Sequence, residues 1–151
     1  MISPADIFVL AVAAGLMALE AHRGVIPALV GFLGILFGLI GTRLLYVPLS
    51  EYVQPSGAYL LLIGATIVLT ALATTVIAKR LTMSVSDVEA AIGATIGLGT
   101  GLLLGYALFD WLTIRYGVGN TLVHNSLIYW AMTEAAGARE LADFVGRLTG
   151  R

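Results

Sequence analysis

The sequence contains no cysteine, which excludes disulfides, thiolate metal sites and cysteine nucleophiles. Charge is scarce: Asp, Glu, Lys and Arg make up 11% of the chain, against about 25% in an ordinary soluble domain. Eight basic and nine acidic residues leave a net charge of −1. That balance supplies no field to draw in nucleic acid, which is not an expected partner. The two histidines, His22 and His124, are far apart in the chain and form no metal-ligand pattern. Also missing are H-E-x-x-H, G-x-S-x-G and G-x-x-x-x-G-K-[ST], and the G-x-G-x-G from Gly97 to Gly101 has no strand before it. No enzyme activity and no cofactor are expected. What the chain does have is apolar bulk, with 59% hydrophobic residues, 18 glycines and a mean hydropathy of +0.97. Its natural solvent is a lipid bilayer.

A spanning helix needs about 20 predominantly apolar residues, and four stretches provide them. The first, residues 5–21, follows Ser3, Pro4 and Asp6, a cap, a first-turn proline and an acid that reaches back to the cap. No basic segment precedes it and no small-residue cleavage site follows, so it reads as a retained helix. After a short break around Arg23 and Gly24 the second covers residues 25–47, stopping at Pro48. The third covers 58–78 and ends at Lys79 and Arg80; the fourth covers 88–114 and ends among Trp111, Arg115 and Tyr116, side chains suited to a membrane interface. The predicted fold is an all-α integral membrane protein: a four-span unit over residues 1–116 and an amphipathic C-terminal segment over 117–151. In that segment Val123, Leu127, Trp130, Glu134, Ala138, Leu141, Val145 and Leu148 follow helical spacing. One or two helices are expected there, with a break at Gly137, lying on the membrane or over the bundle.

The glycines are ordered. Gly93, Gly97, Gly101 and Gly105 recur every fourth residue, and Gly31, Gly34, Gly38 and Gly41 recur at steps of three, four and three. Strips without side chains let helix backbones approach closely in lipid. The expectation is that helices two and four pack against each other along these strips; the alternative use is room for a substrate path.

Helix alternation puts Asp6, Arg43 and Asp110 toward one side of the membrane and Glu20, His22, Arg23, Lys79, Arg80, Asp87 and Glu89 toward the other. A charge within the bilayer is costly unless it is paired or reaches the interface. Arg43 and Asp110 are therefore either an interhelical pair or two groups snorkelling to the headgroups. Glu20 and Arg23, three residues apart, can pair on one helix.

Several landmarks together resemble the colicin V production protein family, CvpA: Asp6 opening the first helix, Arg23 and Gly24 ending the first hairpin, and Glu89 followed by Gly93, Gly97 and Gly101. The pattern covers about residues 5 to 112, and the Ser126 region echoes a serine-containing stretch after the last span. Three positions depart from it, since Glu89 stands where the family usually has aspartate and Ala90 and Thr100 where it usually has arginine. The resemblance implies a four-span protein of the bacterial inner membrane, linked to production or export of a peptide bacteriocin and to envelope stress tolerance. Some members join a similar membrane domain to an extracytoplasmic serine protease, which implies that the fourth helix ends outside the cytoplasm. Arg23, Lys79 and Arg80 in the short loops of the other side agree with that orientation. Both termini would then be extracytoplasmic. The role implied is a scaffold or accessory, as a homo-oligomer or with envelope and secretion proteins. The competing class is a small transporter or channel, for which Thr66, Thr70 and Thr95 offer mid-membrane polar groups. An intramembrane enzyme would need a nucleophile and base at one depth, which the sequence does not assemble.

Overall fold

The computed structural model describes residues 3–80, 85–117 and 120–135. The described residues contain helices and no strand. Four helices are long and apolar enough to cross a membrane: α1 (Pro4–Arg23), α2 (Val25–Ser50), α3 (Pro55–Arg80) and α4 (Asp87–Tyr116). Two shorter ones follow, α5 (Thr121–His124) and α6 (Leu127–Ala135). The protein is therefore an all-α membrane protein of four spans.

Local chemistry sets the helix ends. Ser3 and Asp6 form a reciprocal capping box at α1, and Ser86 and Glu89 form the same device at α4. Gly24 closes α1 and opens α2 at a φ of +85°, a left-handed conformation that a side chain would resist, with Val85 packed at 3.4 Å from where its Cβ would stand. Pro55 sits at the first position of α3, where a missing N–H costs nothing, so α3 starts three residues before the expected 58. Helix α2 runs past Pro48 to Ser50 instead of stopping before the proline. So close to the end, one lost hydrogen bond is tolerable, and Ser50 Oγ donates to the Val47 carbonyl at 2.8 Å.

The glycine strips do not face each other, contrary to expectation. The α4 strip lies on α1: a Cβ on Gly93 would stand 2.6 Å from the Glu20 carbonyl oxygen, one on Gly97 2.6 Å from that of Leu16, one on Gly101 against the Ala13 backbone, and one on Gly105 against Val9. Contacts descend α1 as they ascend α4, the order of an antiparallel pair. The α2 strip lies on α3, with Gly31 opposite Thr74, Gly34 opposite Thr70 and Gly38 opposite Thr66. Gly41 meets nothing within 4 Å among the described residues. The physical reason is that a strip without side chains admits any partner backbone or short side chain, so its spacing does not specify which helix fills it. Helices α2 and α4 do meet, through larger side chains, Ile35 and Leu39 against Ala107 with Leu103, Leu104 and Ile63 around them.

Helix α3 is the peripheral member. Leu69, Leu72 and Val68 are more than half exposed, a surface that only lipid can cover without cost. The start of α1 and the end of α4 are covered by α5, whose Val123 is fully buried with Ala5, Val9, Phe109 and Leu112. The expected continuous apolar face of the C-terminal segment is interrupted earlier than Gly137. Asn125 and Ser126 separate α5 from α6, and Val123 points inward while Leu127 and Trp130 are exposed. Ala138, Leu141, Val145, Leu148 and Gly137 lie outside the described residues.

Candidate functional site

The helical packing gathers two polar clusters at one end of the bundle, where α1 and α3 begin and α2 and α4 finish. The first centres on Asp6. Its carboxylate accepts from the Ser3 amide at 2.8 Å, as an N-terminal cap requires, and also from Ser126 Oγ, the Leu127 amide at 3.2 Å and the Ile128 amide at 3.3 Å. Ser126 Oγ in turn accepts from the Tyr129 amide at 2.9 Å. One carboxylate thus caps two helices, α1 in sequence and α6 in space. A capping box at α6 would place Glu or Gln three residues after Ser126; Tyr129 stands there, the Ser126 amide goes to the Val123 carbonyl, and Asp6 takes the first two amides of the helix. Asp6 and Ser126 are both buried.

The second cluster joins α2, α3 and α4. Arg43 Nη2 lies 3.2 Å from Asp110 Oδ2 and also donates to the Tyr106 hydroxyl. Tyr59 donates to the same carboxylate oxygen at 3.3 Å. The Arg43 guanidinium carbon stands 5.4 Å from the Tyr106 ring centre, and Tyr46 meets Tyr59 edge-on at 6.1 Å. Beside them is a cleft of about 240 Å³ lined by Arg43, Tyr46, Tyr59, Asp110, Thr113 and Ile114. The Arg43 side chain remains 61% exposed, while that of Asp110 is 26% exposed. The pair is therefore open to its surroundings on the arginine side. Arg115, beyond the cleft, donates to Ser56 Oγ at 3.4 Å and ties the end of α4 to the start of α3.

The opposite end is simpler. Arg23 Nη1 lies 3.5 Å from Glu20 Oε1, and Glu20 is buried beneath the first turns of α4 with its second carboxylate oxygen unpartnered among the described residues. His22 Nδ1 donates to the Ala18 carbonyl at 2.8 Å. Glu89 is exposed and occupied in capping, accepting from the Ser86 amide at 3.0 Å. Among the described residues no three His, Asp or Glu side chains are placed to hold a metal ion.

The mid-membrane threonines are already engaged. Thr66 and Thr70 fill the notches above Gly38 and Gly34, Thr95 donates to the Ala91 carbonyl at 3.0 Å, and Thr74 is shared between the Thr70 and Ala71 carbonyls. Such back-bonding satisfies a hydroxyl without water. Sequence reasoning named Arg43, Asp110 and Asp6 but missed Tyr46, Tyr59, Tyr106 and the partnership of Ser126. Tyr106 had a signal, since it precedes Asp110 by four residues and so shares its helix face. No protein-family model matches the chain, and no curated protein and no solved structure is significantly similar to it.

Proposed function

We propose that the chain is a non-enzymatic scaffold or accessory of the colicin V production kind, multi-pass in the bacterial cytoplasmic membrane with both termini outside. In this role it supports export of a peptide bacteriocin and tolerance of envelope stress, as a homo-oligomer or with envelope and secretion proteins. The observation that carries the reading against transport is the closure of the helix pairs. Glycine backbones lie directly on α1, and the threonines that could line a path are instead set into the glycine notches of α2 or bonded to their own helix. The cleft at Arg43 is lined by residues from one end of the bundle only.

The test has two arms. Deleting the gene in a bacteriocin-producing host is expected to lower secreted toxin and survival in bile detergent, with both restored by the intact chain; unchanged secretion and survival sink the reading. Proteoliposomes of the purified chain are expected to pass ions and small peptides no faster than empty vesicles. Steady flux would move the protein to the transporter class. Fusions at the Lys79 loop are expected to give low alkaline phosphatase activity, and strong activity would reverse the orientation.

A further inference from the structure

The cleft beside Arg43 carries more chemistry than a packing role needs. Arg43 uses Nη2 for both of its partners, so Nη1 and Nε have no hydrogen bond among the described residues. Asp110 uses Oδ2 for both of its partners and, among the described residues, leaves Oδ1 without one. The Tyr46 hydroxyl also has none, although the ring lines the cleft. One open cleft therefore holds spare donors on a cation, a spare acceptor on an anion, and two tyrosine rings.

Depth adds a second constraint. Arg43, Asp110 and Tyr59 stand seven, six and four residues from the nearer ends of α2, α4 and α3, or about 10, 9 and 6 Å at 1.5 Å per residue. Helices of 26 to 30 residues overhang a hydrocarbon core of about 30 Å by roughly 5 to 7 Å at each end. The cluster thus lies within a few Å of the boundary between acyl chains and headgroups.

From this juxtaposition we propose that the α2–α3–α4 cleft is a binding site for a zwitterionic phospholipid headgroup bearing a primary ammonium, that is, phosphoethanolamine. The phosphate takes the free Arg43 donors and the Tyr46 hydroxyl. The ammonium takes Asp110 and the partly exposed Tyr46 ring, while the buried Tyr59 holds the carboxylate in place. Charge selects this class, because the Arg43–Asp110 pair is neutral as a unit: a purely anionic headgroup meets the Asp110 carboxylate, and a purely cationic one meets Arg43. A quaternary ammonium has no proton to give Asp110. The site does not depend on the role in bacteriocin export, and failure of either reading leaves the other standing.

Native mass spectrometry of the full chain in detergent, offered dioleoyl phosphatidylethanolamine, phosphatidylglycerol or phosphatidylcholine in equal amounts, reads the selectivity. Phosphatidylethanolamine should be retained about tenfold over phosphatidylglycerol and severalfold over phosphatidylcholine. Asp110→Asn removes the anion and should shift the preference toward phosphatidylglycerol, while Arg43→Gln should lower retention of all three. Tyr46→Phe leaves the ion pair intact and should lower phosphatidylethanolamine retention severalfold without altering the melting temperature. Equal retention of phosphatidylglycerol by the wild type, or an unchanged ratio in Asp110→Asn, overturns the proposal. Water-soluble O-phosphoethanolamine separates the two sources of this chemistry: binding much weaker than the diacyl lipid supports a lipid site, and equal affinity overturns it.

Discussion

The α1–α4 and α2–α3 pairs use the same device, a glycine strip on one antiparallel helix, and set it against different surfaces. On α1 three of the four glycines meet backbone, namely the Leu16 and Glu20 carbonyls and the Ala13 Cα, and Gly105 meets the Val9 side chain. On α3 the strip meets threonine side chains, first their γ atoms and then, at Gly38, the Thr66 Cβ at 2.9 Å. Backbone cannot move without moving the helix, whereas a threonine can turn about χ1. The first pair is consequently a fixed core, held further by the Asp6 clasp, and the second is a softer attachment whose outer helix faces lipid. Arg43 and Asp110 bridge α2 of the soft pair to α4 of the fixed one.

The largest effect should come from the clasp. Asp6→Ala removes the acid from two helix caps and leaves the Ser126 hydroxyl and the Leu127 and Ile128 amides without their partner. Lost caps and stranded buried groups together cost about 3 kcal/mol. Thermal unfolding in detergent should show that loss, and limited proteolysis should cut after Tyr116 faster than in the wild type. Unchanged cutting would mean that α5 and α6 are held by Val123 packing alone.

Glycine substitutions separate the two pairs more directly. In Gly101→Ala the new methyl collides with the Ala13 backbone, so α1 and α4 must part, at a cost of about 2 to 3 kcal/mol. In Gly34→Ala the obstacles are Thr70 Cγ2 and Oγ1, each 2.8 Å away, while Thr70 Cβ is at 3.3 Å. A rotation can clear only one of the two γ atoms, so a small shift of α3 must relieve the other, and about 1 to 2 kcal/mol is expected. Equal losses in a matched unfolding assay would erase the distinction between a fixed and a soft pair.

The spans were legible because composition and length decide them: four apolar runs with polar breaks admit few other readings. The cap at Ser3 is legible as a local pattern, and Ser86 with Glu89 has the same spacing, although only the structure brings it out as a cap. The pairing of strips could not be read, since spacing along Gly31, Gly34 and Gly38 says that something approaches but not which helix. The Asp6 to Ser126 clasp was harder still, joining residues 120 apart. Its only trace was negative, a serine cap at α6 with tyrosine where an acid would complete the box. The tyrosines of the cleft had the same difficulty, because an aromatic near a helix end suits the membrane interface equally well.

The bridge between the pairs should be weak. Arg43 is largely exposed, and polar interactions between membrane helices average about 0.6 kcal/mol in double-mutant cycles, because the separated helices also find partners. A cycle of Arg43→Gln and Asp110→Asn is expected to give a coupling of about that size. Strict additivity would mean that each group answers to the interface and not to the other. A coupling above about 2 kcal/mol would mean that Tyr59 and Tyr106 act with the pair as one buried network, since networks exceed the sum of their pairs. In that case α2 and α3 would be anchored to α4 as firmly as α1 is, and the contrast between a fixed pair and a soft one would have to be redrawn around the polar end of the bundle.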